Sequence, residues 1–380
     1  MDTATHERPR AAHHGLLSAA AVRRAWLALL VTLLVAALAG GLLRAGAGVG
    51  PDADWLGFAA VHHGALMVGA VMGALVGIER AVAVRRSFAW AAPVLALAGG
   101  ASLLAGFADA GWLLAAAAAV FVAVNVHLLR VQAAPHMAVL LLGAVGWLVG
   151  NVLFALHAAP AAIIPWWFAF LLLTVTAERL EMTRLMRRRR GAAPMLAVVI
   201  LLLVAGAAWS AIDAAAGGVA YGIALAGLCA WLLLNDIARR TIRAEGLPRY
   251  MAACLLAGHA WLGVAGLAWI CTAAGLPARD AALHAIGLGF LASMVFGHAP
   301  VILPAVAGIK LQFGNGFYLP LALLHLSLAV RLVAGAGDAH WRAVGAAGNA
   351  VALATFAAVV AASAFTWKRR HAPRAPASTP

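Results

Sequence analysis

The sequence predicts an all-α fold: a polytopic membrane helix bundle of about twelve transmembrane helices with its N- and C-termini in the cytoplasm. Three observations lead there. The chain is 65% hydrophobic with a mean hydropathy of +0.95. Only 11% of its 380 residues are charged, where a soluble domain carries about a quarter. And its basic residues alternate from loop to loop with the regularity of a membrane topology.

The apolar surface is too large for a water-soluble fold to hide, so lipid must be the solvent for most of the chain. Apolar runs fall at roughly 25–43, 55–78, 88–107, 111–129, 136–157, 161–178, 193–212, 216–235, 250–273, 281–309, 315–334 and 341–367. Each can cross a hydrocarbon core of about 30 Å at about 1.5 Å per residue. Backbone polar groups in lipid must be satisfied within the segment, which selects helices over shorter, alternating barrel strands. The expected division is an N-terminal tail at 1–24, a transmembrane domain at 25–367 and a C-terminal tail at 368–380. The basic tail ahead of the first run ends in no small-residue cleavage site, so the first helix is read as uncleaved.

With the N-terminus inside, twelve crossings place 23 of the 27 Lys and Arg residues on the cytoplasmic side. Only Arg44, Arg279, Arg331 and Arg342 fall outside, together with Asp52, Asp54, Asp109, Asp213, Asp280 and Asp338. This distribution also disposes of a nucleic-acid reading of the net charge of +14. The charges orient the helices and form no basic face. The Ala- and Arg-rich composition points to a high-GC bacterial genome, hence a bacterial cytoplasmic (inner) membrane, with the lipid bilayer as the principal partner.

Cys229, Cys254 and Cys271 lie in apolar runs without metal-ligand spacing and read as buried small hydrophobes. On the second helix Ala65, Gly69, Gly73 and Gly77 recur every four residues, a seam that lets another helix approach closely. Trp166-Trp167 and other tryptophans near span ends read as interface anchors.

Ionisable groups inside a membrane span are costly and mark function. Here they are mostly histidines. His62 and His63 lie about 10–12 Å below the outer edge of the second helix. His284 lies under the outer edge of the tenth, and His298 returns to nearly the same face about 21 Å deeper. His259 and His325 sit near mid-depth. His62 shares the face of the glycine seam, with His63 about 100° away. His62 or His63 with His284 thus forms an outer group, and His259, His298 and His325 a deeper one. Neutral imidazole ligates haem iron and copper without burying a protein charge. His62, His63, His284 and His298 are the cofactor candidates, with His259 and His325 as metal candidates. Any of them alone can equally be a hydrogen-bonding histidine between helices.

Pro300 and Pro304, after Gly297-His298-Ala299, remove backbone donors and predict a kink or break in the tenth helix. Glu79, Arg80, Glu178, Arg179, Glu181 and Arg184 gather at inner helix ends, either as an interfacial ion-pair lattice or as a route for proton entry. Glu181 and Arg184, three apart, can pair along one face.

Two stretches carry a resemblance: His62-His63-Gly64-Ala65-Leu66-Met67-Val68-Gly69 running to Gly77-Ile78-Glu79-Arg80, and Leu283-His284-Ala285-Ile286 with Gly289 and Gly297-His298-Ala299-Pro300. Together they resemble the NnrS family of bacterial inner-membrane proteins, associated with haem, copper and nitric oxide metabolism. More distantly the pattern is similar to the haem-copper oxidase catalytic subunit, where histidines on the second and tenth helices hold a haem. The sixth and seventh spans hold no histidine, so the oxidase copper site has no counterpart ligands. The resemblance implies a haem-binding membrane protein, with copper as a further candidate, acting on a small gaseous or redox substrate in nitric oxide response or electron transfer. A separate reading is a structural protein that stabilises a larger assembly with a respiratory membrane partner. The rival class is a cofactor-free transporter or channel for protons, a metal ion or a small anion, its histidines and broken tenth helix lining the path.

Overall fold

The computed structural model describes residues 19–48, 53–183 and 189–371. Arg184 and the outermost parts of both tails lie outside the described residues, and with Arg184 the expected Glu181–Arg184 pair. The described chain is helical throughout. Twelve segments are long and apolar enough to cross a membrane: Ala25–Arg44, Ala65–Val84, Ser87–Leu104, Ala110–Val131, Pro135–Ala155, Pro160–Met182, Ala192–Trp209, Ala214–Asn235, Leu247–Ala273, Arg279–Ala305, Asn315–Ala336 and Ala339–Arg370. They are called here the first to twelfth spans. The protein is a multi-pass membrane protein.

Local chemistry sets the ends. Pro135 and Pro160 open the fifth and sixth spans, where a missing N–H costs nothing. The Asp213 carboxylate accepts from the backbone N–H of Ala215 and Ala216 (2.9 and 3.0 Å), capping the eighth span. Asp338 does the same for the twelfth through His340 and Trp341. Both aspartates lie in outer loops, so the acid that marks the outer face also starts a helix.

Consecutive spans pack as antiparallel neighbours, and the first touches the twelfth. The sixth span is central. Its apolar window is 72% buried, against 17% for the twelfth, and it contacts the second, fifth, seventh and eighth. Around it Trp147 lies between Phe121 and Phe170, at ring-centre distances of 5.6 and 5.0 Å. The glycine seam of the second span admits this aromatic layer: a Cβ on Gly73 would collide with the Trp147 ring. Asn151 ties three spans together, donating to the carbonyl of Leu114 (3.0 Å) and accepting from Trp167 Nε1 (2.9 Å). Trp167 is therefore a buried core residue and not the interface anchor its position near a span end predicts. The exposed tryptophans Trp55, Trp90, Trp112, Trp209 and Trp341 keep that role.

The second and tenth spans share an unusual build. Each has a short α-helix (Asp54–Val61; Arg279–His284), eight residues of π-helix (Ala65–Met72; Ala285–Ala292), then α-helix again (Gly73–Val84; Ser293–Ala307). In both, the π segment follows the histidines directly. π-turns concentrate at functional sites. The predicted break at Pro300 is corrected. The helix continues through Pro300 and Pro304 to Ala307, and the irregular stretch lies a turn or more upstream. A proline withdraws only one backbone donor, and the neighbouring spans hold the helix in place around it.

Candidate functional site

The outer ends of the second and tenth spans meet through histidines. The rings of His63 and His284 stand 6.5 Å apart, centre to centre, with their planes 25° apart. The two spans are not among the closely packed helix pairs, so side chains face each other across the space between them.

Each ring is held from behind. His63 Nδ1 donates to the carbonyl of Ala37 on the first span at 2.7 Å. That approach requires Gly41, where a Cβ would stand 2.7 Å from His63 Cε1. His284 Nδ1 lies 2.9 Å from Asp280 Oδ1 and 3.0 Å from the Asp280 carbonyl. Asp280 is clamped in turn by Arg331 of the eleventh span, whose Nε and Nη2 donate to its two oxygens at 2.9 and 2.8 Å. The same Nη2 reaches His284 Nε2 at 3.2 Å. Arginine has no acceptor, so Nε2 of His284 presents its lone pair and the ring proton sits on Nδ1. A carbonyl can only accept, which places the His63 proton on Nδ1 as well. Both imidazoles are thus fixed in the tautomer whose Nε2 can bind a metal.

The choice between His62 and His63 falls to His63. His62 does lie on the seam face, but that face looks toward the fourth and fifth spans, and its ring stands edge-on to Phe154 at 6.0 Å.

The same two helices meet charge at their inner ends. His298 Nδ1 donates to the Met294 carbonyl (2.6 Å), and its Nε2 accepts from Nη2 of the buried Arg179 at 2.7 Å. Arg80 bridges Glu79 (3.3 Å) and Glu178 (3.4 Å). Glu181 is half-buried within electrostatic reach of Glu178. The two metal candidates separate. His325 Nδ1 accepts from Trp261 Nε1 at 2.9 Å, so its proton is on Nε2. His259 is fully buried with its Nε2 3.8 Å from Asp236 Oδ2. Among the described residues no group of three or more His, Cys, Asp or Glu side chains is arranged to hold a metal ion. Of the cysteines, Cys229 and Cys254 are buried as expected and Cys271 is only partly buried; the Cys229 thiol donates to the His259 carbonyl at 3.0 Å.

Sequence reasoning missed three participants. Asp280 and Arg331 read as outer-loop charges, and Asp236 stands directly after the apolar run 216–235 with nothing in the pattern to single it out. Arg331 instead lies within a helix and is 8% exposed. One signal was legible: Asp280 stands four residues before His284, one helical turn away.

No curated protein and no solved structure matches the chain. One family model, described as Domain of unknown function (DUF8744), matches residues 23–365, and the chain belongs to that family.

Proposed function

We propose that this chain is an integral membrane haem protein of NnrS-like type, in which His63 and His284 would hold the haem. Its role is in nitric oxide response or electron transfer at a bacterial inner membrane. The observation that carries the reading is the facing pair of imidazoles, both anchored through Nδ1. The two ring centres stand 6.5 Å apart, and both rings have their Nδ1 anchored. Binding iron requires Arg331 to leave Nε2 of His284. Arg331 and Arg44, the cations that act on His63 at this level, then supply the charge that haem carboxylates need.

In this reading the bound haem supplies one-electron chemistry. The protein's own residues hold and orient it. Asp280 and the Ala37 carbonyl keep both ligand tautomers, the π segments place the two histidines, and the surrounding spans exclude water. Copper has a weaker basis, because His298 and His325 are bonded to different side chains and His259 stands 3.8 Å from Asp236.

The test is an optical spectrum and metal analysis of detergent-purified protein from haem-replete cells. The expected result is a haem spectrum that shifts on reduction and disappears in His284→Ala. A colourless preparation free of iron overturns the reading and leaves the cofactor-free transporter as the surviving class.

A further inference from the structure

The eighth span ends at Asn235, and the next residue turns back into the protein. Asp236 is buried there. Its Oδ1 accepts from the Ala238 N–H at 2.8 Å, which explains half of the carboxylate. Its Oδ2 has no hydrogen-bond partner among the described residues. Nε2 of His259 stands 3.8 Å from it. That is too long for a hydrogen bond. Both side chains are 0% exposed, and neither ring nitrogen of His259 has a partner among the described residues. A histidine that only glued two helices would be bonded. This one is not.

The surroundings leave a charge unbalanced. From the sixth span Arg179 acts on His259, and Arg179, Asp236 and Glu79 act on His298. Outside these lie Arg80, Glu178 and Glu181. The eighth span adds no further charge; its Cys229 thiol is turned to the His259 carbonyl. The tenth presents the Phe290 ring at 6.2 Å and Ser293, whose hydroxyl donates to Gly289. Arg239 and Arg240, on the short helix Ala238–Thr241, are exposed. Among the described residues named here, the guanidiniums of Arg80 and Arg179 face the four carboxylates of Glu79, Glu178, Glu181 and Asp236, and Asp236 is the most deeply buried of them. An unpaired buried charge costs several kcal/mol, and one proton removes that cost. On His259 it makes an ion pair; on Asp236 it makes a neutral pair.

We propose that Asp236 and His259 share one exchangeable proton, forming a buried proton-binding site that opens to the arginine-rich face. The route is a gradient of exposure. The Glu79 and Glu178 side chains are 31% and 25% exposed and Arg80 is 13% exposed. Arg179 is 5% exposed, and the pair itself is sealed. The proton comes from water at that face, adds to a lone pair of His259 or of Asp236, and leaves by the same carboxylates. No bond other than that N–H or O–H is made or broken. The site stands apart from the outer histidine pair and does not depend on haem.

The experiment uses the full-length protein in lipid nanodiscs. Nitrogen-15 spectra of labelled histidine, with His259 assigned by its loss in His259→Gln, are read beside infrared spectra of the carboxyl region. An imidazolium at His259 near neutral pH that turns neutral in Asp236→Asn supports the proposal. So does a protonated carboxyl band lost in Asp236→Asn. Either signal must exchange in D2O within minutes. A neutral His259 with an ionised Asp236, or a bound proton that does not exchange, overturns it. If Asp236→Asn does not fold, His259→Gln read in the infrared decides: Asp236 then takes up the proton alone and its carboxyl band grows, or it stays ionised and the proposal fails. A colourless protein with an intact proton signal refutes only the haem reading.

Discussion

The two ends of the helix pair formed by the second and tenth spans treat histidine differently. At the outer end His63 and His284 are anchored through Nδ1 and face each other, each keeping an accepting Nε2. At the inner end His298 is capped by Arg179, and His259 stands beside a carboxylate it does not touch. The lesson is that what meets Nε2 matters as much as what holds Nδ1: His284 and His298 share one tautomer and both accept from an arginine, at 3.2 and 2.7 Å, and it is His284 that faces a second imidazole. An anchored ring with an accepting Nε2 turned toward another imidazole suits a metal. An unanchored ring beside an unbalanced carboxylate suits a proton.

The sharpest way to break this comparison is to remove one outer ligand. His63→Ala and His284→Ala are expected to cut haem content by about 100-fold, as loss of a direct ligand exceeds the 10–100-fold seen for supporting residues. His62→Ala, which removes a ring packed on Phe154, should leave the spectrum intact. Pyridine haemochrome content per protein measures all three. If His62→Ala bleaches the protein and His63→Ala does not, the assignment of the pair is reversed.

Asp280→Asn comes next. It keeps the size of the side chain but weakens the acceptor for His284 Nδ1 and the clamp from Arg331. Haem retention should fall by about tenfold. Arg331→Ala should lower stability by about 1–3 kcal/mol, since it strips a partly buried carboxylate of its partner. Haem titration and unfolding in mixed micelles separate the two effects. Unchanged stability in Arg331→Ala would mean that water replaces the guanidinium at this depth.

The smallest effect belongs to a residue remote from both ends. Asn151→Ala frees the Trp167 N–H and the Leu114 carbonyl and should cost about 0.6–1.7 kcal/mol, from the average to the largest value for a hydrogen bond between membrane helices. Haem content should not change. A change would show that the core layer around Trp147 and Trp167 also sets the histidine geometry.

The sequence by itself determined the class, the twelve crossings and the candidate histidines. Lipid makes this legible, because every spanning segment must announce itself as an apolar run and every loop carries its charge sign. The seven-residue spacing that places His62 with Gly69 holds for a regular helix, whereas the segment between them runs into π-helix from Ala65. What only the tertiary structure decided is who stands opposite. Periodicity gives the direction a side chain points but not which of eleven other helices lies there. So His63 rather than His62 meets a partner 221 residues away on the tenth span, and Arg331 turns from an outer-loop charge into a buried clamp on Asp280. Asp236 turns from the end of a helix into the partner of His259. The π segments after His63 and His284 also went unseen, because no residue pattern distinguishes a π-turn from an α-turn when both are lined with Gly, Ala and Leu. Their place is set by packing between distant spans, and that is a property of the folded bundle.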